Sequence, residues 1–93
     1  MEIKHTIVEN KGVFFIEEDG ERVAEMTYVM AGNDKMIIDH TEVSGKFEGK
    51  GLGKLLLAEA VSFSRKNKIK IMPLCPFARA VFDKTNEYTD VLF

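Results

Sequence analysis

The sequence predicts an α+β domain: a four-stranded antiparallel meander, then a helix, a fifth strand parallel to the fourth, and a second helix. Three observations predict it. Apolar and polar residues alternate with period 2 through the first half of the chain. The period changes to 3.6 after residue 51, where Leu52, Leu55, Leu56, Ala60 and Phe63 fall on one stripe. A short apolar run, "IKIMP", then separates that stripe from a second amphipathic segment. A helical crossover between neighbouring strands of one sheet makes them parallel.

The elements follow in order. "EIKHTIVE" alternates with Ile3, His5 and Ile7 on one side and Lys4, Thr6 and Val8 on the other, and Asn10-Lys11-Gly12 is read as the turn that follows. "VFFIEED" is rich in β-formers, and Asp19-Gly20 is a strong hairpin signal. "ERVAEMTYVMA" sets Val23, Met26, Tyr28 and Met30 against Arg22, Glu25 and Thr27, with one slip that fits a bulge. Gly32-Asn33-Asp34 turns into the fourth strand, "KMIIDHTEV". The long helix should run from about Gly51 to Asn67, and "PFARAVFDK" should form the second helix with Pro76 in its first turn. The tail "TNEYTDVLF" shows too little pattern to assign.

Ninety-three residues make one domain, 1–93, without linker or repeat. Thirteen basic against fifteen acidic residues give a net charge of -2, so there is no general attraction to nucleic acid or to an anionic membrane. Any anion site must be local. The single cysteine, Cys75, excludes an internal disulfide and suits the reducing cytoplasm, where the chain is expected to work. The polar start "MEIKHTIVEN" does not read as a signal peptide, and no apolar run approaches a membrane span. No His, Cys, Asp or Glu spacing suggests a metal.

The most informative stretch is "FEGKGLGKLLL", where Gly49, Gly51 and Gly53 alternate with Lys50, Leu52 and Lys54 at the mouth of the long helix. The spacing fits neither the Walker loop nor the dinucleotide fingerprint. It does leave bare amides at a helix start, where the dipole favours a phosphate and two lysines add positive charge. A tight strand-to-helix turn would use the same glycines. "MPLCPF" adds a second feature. Pro73 and Pro76 lack an N–H, so the fifth strand should stop pairing near Pro73 and part from the fourth. The notch so formed lies at the end of the sheet where the glycine loop sits. A pyrophosphate at a helix start with an extended amide chain beside an unpaired strand edge describes coenzyme A.

With these features on one chain, the sequence resembles the small single-domain members of the GNAT acetyltransferase superfamily. The resemblance is carried by "IDHTEV", "GKGLGKLLL", "IMPLCPFA" and "NEYTD", in that order, over about Met36 to Asp90. In the superfamily's coenzyme motif, Gly51 and Gly53 fill the glycine places, while Glu48 stands where Arg or Gln is usual. The resemblance implies an enzyme that takes acetyl-CoA as cosubstrate, without a metal, and moves the acetyl group to an unidentified amine. A monomer without nucleic-acid or membrane partners is expected. It makes Val43, Gly49, Lys50, Gly51, Leu52, Gly53 and Lys54 the coenzyme-binding residues, and His40 and Cys75 the catalytic candidates. His40 would act as general base and Cys75 would carry the acetyl group or assist the leaving thiolate. The tyrosine that many larger members carry on the last helix is absent, and Tyr88 comes after it. Read without the resemblance, a lone cysteine is usually an apolar filler, and a lone histidine, such as His5, is usually structural. A coenzyme A-binding module without transferase activity, and a structural α+β domain whose glycines only turn the chain, are the other readings.

Overall fold

The structure, a computed structural model, describes residues 1–93. Its elements are β1 (Ile3–Val8), β2 (Lys11–Glu18), β3 (Glu21–Met30), β4 (Lys35–Val43), α1 (Leu52–Asn67), β5 (Lys70–Pro73) and α2 (Pro76–Lys84), with short 3-10 turns at Gly45–Phe47 and Asn86–Val91. The strands form one sheet in chain order, antiparallel from β1 to β4 and parallel between β4 and β5. This is the predicted topology.

Both helices lie on one face of that sheet. A single core joins Phe14, Met26 and Ile38 of the strands to Leu56 and Ala60 of α1 and to Ala78 and Phe82 of α2. Phe15 is buried but stands outside this core, because successive strand residues point to opposite faces. The Arg22 guanidinium covers it, 4.0 Å above the ring. The molecule measures 34 × 31 × 20 Å, and its short axis accommodates one sheet and one layer of helix. The second face of the sheet therefore carries no helix.

The Asp19-Gly20 turn has positive φ at both residues (52° and 78°), as a type I′ hairpin requires. The first turn differs from its sequence reading. Glu9, with φ 58°, and Asn10 make it, and Lys11 and Gly12 already belong to β2. Gly12 is there for space. A Cβ at that position would fall 2.2 Å from Cζ of Tyr28, the residue it faces across the β2–β3 pair. Only glycine lets the Tyr28 ring lie on the strand.

The Tyr28 hydroxyl is held by His5 Nε2 at 2.7 Å, and the imidazole stacks on Phe14 with ring centroids 3.9 Å apart. Burial pushes the His5 pKa below its ordinary 6.5, with Glu59 opposing the shift. A base whose pKa is depressed by folding is charged more readily in the unfolded chain. Its contribution is complete above the unfolded pKa and is lost as pH falls below about 6.5 toward the lower folded value. Urea unfolding should therefore show stability declining from pH 7 to pH 5. His5→Gln should flatten that part of the profile; an unchanged slope would assign it to other groups.

The unassigned tail is ordered by contacts distant in sequence. Leu92 bridges Ile71 in parallel, and Phe93 N–H donates to the Ile71 carbonyl at 2.9 Å. The Arg65 guanidinium of α1 donates to both carboxylate oxygens of Asp90, each at 2.9 Å, and to the Glu87 carbonyl at 2.6 Å. No local periodicity encodes these partners, which is why the sequence left the tail unread.

Candidate functional site

The β4–β5 ladder ends at the pair Ile38–Pro73. Pro73 cannot donate, and the N–H groups of Leu74 and Cys75 both turn back to the Ile38 carbonyl, at 2.9 and 3.1 Å. Beyond Ile38, β4 is itself the edge of the sheet, and β5 has bent away into α2. Cys75 is the N-cap of α2, with extended backbone, and its Sγ accepts the Ala78 N–H at 3.4 Å. The two prolines thus end the β4–β5 pairing and place a buried thiol at the start of α2.

A bulge in β4 decides which side chains share this wall. Thr27 of β3 pairs with His40 while the next residue, Tyr28, pairs with Ile38, so Asp39 is an extra residue. The alternation of β4 shifts by one there. Thr41, which pairs with the fully buried Met26, faces the core side, and its Oγ1 lies 3.3 Å from Cys75 Sγ. His40 turns to the open face instead, where Nε2 is 3.4 Å from a Glu42 carboxylate oxygen. The expected meeting of His40 with Cys75 is not made. Asp39 accepts a hydrogen bond from the Thr27 hydroxyl at 2.7 Å. Glu25, His40 and Glu42 bring ligand atoms within 4.8 Å of one another on this exposed face and could hold a cation between them. Glu25 comes from β3, so linear spacing could not reveal that group.

The glycine loop has three separate physical tasks. Gly49 (φ 80°) and Gly51 (φ 75°) occupy the left-handed region, with open space where a side chain would stand. Gly51 is the N-cap of α1 without any side-chain cap, and the first helical bond runs from Leu55 N–H to Gly51 C=O. The amides of Leu52, Gly53 and Lys54 are left at the open end of the helix. Gly53 has ordinary backbone angles but lies under Phe77, whose Cζ would be 2.7 Å from an added Cβ. It allows α1 and α2 to approach, a task the sequence reading did not separate from ligand access.

One groove of ≈ 480 Å³ connects these parts. Val43, Gly49, Gly51, Leu52, Gly53 and Lys54 line it, and it reaches Thr41, whose hydroxyl touches Cys75. Six of the seven proposed coenzyme residues are thus brought together. Lys50 stands apart, its Nζ 5.5 Å above the Phe47 ring. Sequence reasoning missed Thr41 and Phe77; Thr41 stood inside "IDHTEV", but its orientation depended on the unseen bulge. Tyr88 lies with Lys54 and Phe77 around a separate cavity of ≈ 310 Å³.

The model of the GCN5-related N-acetyltransferase family matches residues 13–91. The chain belongs to the GCN5-related N-acetyltransferase family. A GCN5-like chain from Staphylococcus aureus, solved in solution, is 40% identical, with a TM-score of 0.76 over 99% of this chain and 87% of that one. The ribosomal-protein-alanine N-acetyltransferase of Brucella melitensis (18% identical, TM-score 0.68) matches over 81% of this chain and 62% of that one. Tetrahymena GCN5 (14% identical, TM-score 0.68) matches over 83% of this chain and 51% of that one. At these identities the last two show the fold alone, and this chain spans only part of their length. A search of curated proteins finds no match. The family transfers acyl groups and uses acetyl-CoA as cosubstrate.

Proposed function

We propose that this family member binds acetyl-CoA in the glycine-lined groove and transfers the acetyl group to an amine by way of Cys75. One observation carries the reading: the groove that starts at the free helix amides ends at Thr41, in contact with the Cys75 sulfur. The pyrophosphate would take the amides of Leu52, Gly53 and Lys54, with the Lys54 ammonium beside it. The pantetheine arm would run along Val43 and the unpaired edge of β4 as an added strand.

In the first step the Cys75 sulfur attacks the thioester carbonyl carbon. The new S–C bond forms, the bond to the coenzyme sulfur breaks, and the proton from Cys75 passes to the departing sulfur. Thr41 Oγ1 and the Ala78 N–H hold the Cys75 sulfur in place. In the second step an amine entering at the notch attacks acetyl-Cys75. The N–C bond forms, the S–C bond breaks, and the proton lost by the nitrogen returns to the Cys75 sulfur, because His40 stands on the opposite face of β4.

Mass spectrometry tests this route. Incubation with acetyl-CoA and no amine should add one acetyl group that a thioester-cleaving nucleophile removes. Cys75→Ala should abolish the adduct and leave coenzyme affinity within about twofold, since the phosphates are held elsewhere. Amine acetylation that survives Cys75→Ala would replace the covalent route with direct attack of the amine on acetyl-CoA. Coenzyme binding with neither adduct nor amine product would make the chain a binding module.

A further inference from the structure

We propose that the Thr41 hydroxyl is a catalytic proton relay between the Cys75 thiol and the sulfur of the coenzyme, a role that rests on the covalent reading above. Cys75 is only 6% exposed and does not line the groove, whereas Thr41 is half-buried and does. Val43 lines it too, and two positions apart on one strand the two side chains share a face, about 6–7 Å from each other. An extended chain that starts at the α1 amides and passes Val43 therefore comes to Thr41, beyond which no residue of β4 lines the groove. The hydroxyl stands between the end of that chain and the buried thiol.

The hydrogen bonds leave it the right proton to give. Sγ of Cys75 already accepts the Ala78 N–H at 3.4 Å, so the thiol proton is directed at Thr41 Oγ1, 3.3 Å away. A hydroxyl that accepts there still has its own O–H to donate, and no other side chain of the protein takes it. That proton is free for an acceptor in the groove. As Cys75 attacks, its proton moves to Oγ1 while the Oγ1 proton moves to the departing coenzyme sulfur. The S–C bond to Cys75 forms, the S–C bond to the coenzyme breaks, and Thr41 ends as it began. In the second step the nitrogen proton enters at Oγ1 and the Oγ1 proton passes to the Cys75 sulfur. Thr41 is not itself the nucleophile, because no base holds it: His40 lies beside Glu42 on the other face of β4, and Asp39 holds Thr27.

Intact-mass kinetics of the acetyl adduct, with acetyl-CoA and no amine, test the proposal. Thr41→Val keeps the shape and removes the hydroxyl; it should slow adduct formation about a hundredfold or more, and Thr41→Ser should recover most of the rate. Alkylation of Cys75 by iodoacetamide separates a relay from a mere anchor, because iodide leaves without a proton. Its rate in Thr41→Val should stay close to the parent's. An adduct that forms in Thr41→Val as fast as in the parent overturns the relay, and so does alkylation that falls in parallel with acetyl transfer. Peptide mapping that finds an oxygen ester on Thr41 also overturns it. A parent that binds acetyl-CoA and forms no adduct overturns the covalent reading itself, and the relay with it.

Discussion

Replacing Gly51 by valine will lower the affinity for acetyl-CoA by about a hundredfold or more, because two charge-assisted hydrogen bonds at ~1.5–3 kcal/mol each depend on this corner. At φ 75° Gly51 is in the left-handed region, where an L-residue pays ~1–2 kcal/mol and a β-branched one more. No atom lies within 4 Å of the missing Cβ, so the cost is conformational and not a clash. The loop will relax toward ordinary angles, and the amides of Leu52, Gly53 and Lys54 will no longer point at one place. Asparagine tolerates left-handed angles, so Gly51→Asn should bind close to the parent. Titration calorimetry and backbone amide shifts of residues 49–54 read the outcome. Parent-like affinity for Gly51→Val would mean that the loop only turns the chain.

Gly12→Ala will destabilise the fold by about 3 kcal/mol or more, a large part of the 5–15 kcal/mol that a small domain has. Even the smallest side chain puts a carbon 2.2 Å from Tyr28 Cζ and 2.3 Å from its hydroxyl oxygen. The ring is fully buried and cannot swing outward. It must shift from Phe14 and from His5, so overpacking strain comes together with the loss of a hydrogen bond to a buried hydroxyl. Urea unfolding of parent and variant measures the difference. A loss below about 1 kcal/mol would show that β2 and β3 move apart easily at this point. Tyr28→Leu removes the outer ring atoms, so Gly12→Ala should cost less in that background than alone.

Gly12 also marks where reading the sequence failed. Next to Asn10 and Lys11 it has the composition of a turn, and nothing local says that a tyrosine sixteen positions later must lie on it. The four-stranded order, both helices and the parallel fifth strand were legible because each rests on local information. Period 2 and period 3.6 are properties of neighbouring residues, and Asp19-Gly20, Pro73 and Pro76 act on their own backbone. The second helix was legible to the residue, since Pro76 fixes its start.

The candidate site divides along the same line. The chain by itself determined a glycine-bearing helix start, a proline-broken strand and one cysteine between two prolines, because these are short-range constraints on φ and on hydrogen-bond donors. Tertiary structure alone decided which side chains meet. The extra residue Asp39 exists only relative to the register of β3, and it turns Thr41 toward Cys75 and His40 away from it. Gly53 serves helix packing because Phe77 arrives from another element. A bulge and a contact between helices are properties of pairs of segments, and a single segment read alone contains neither.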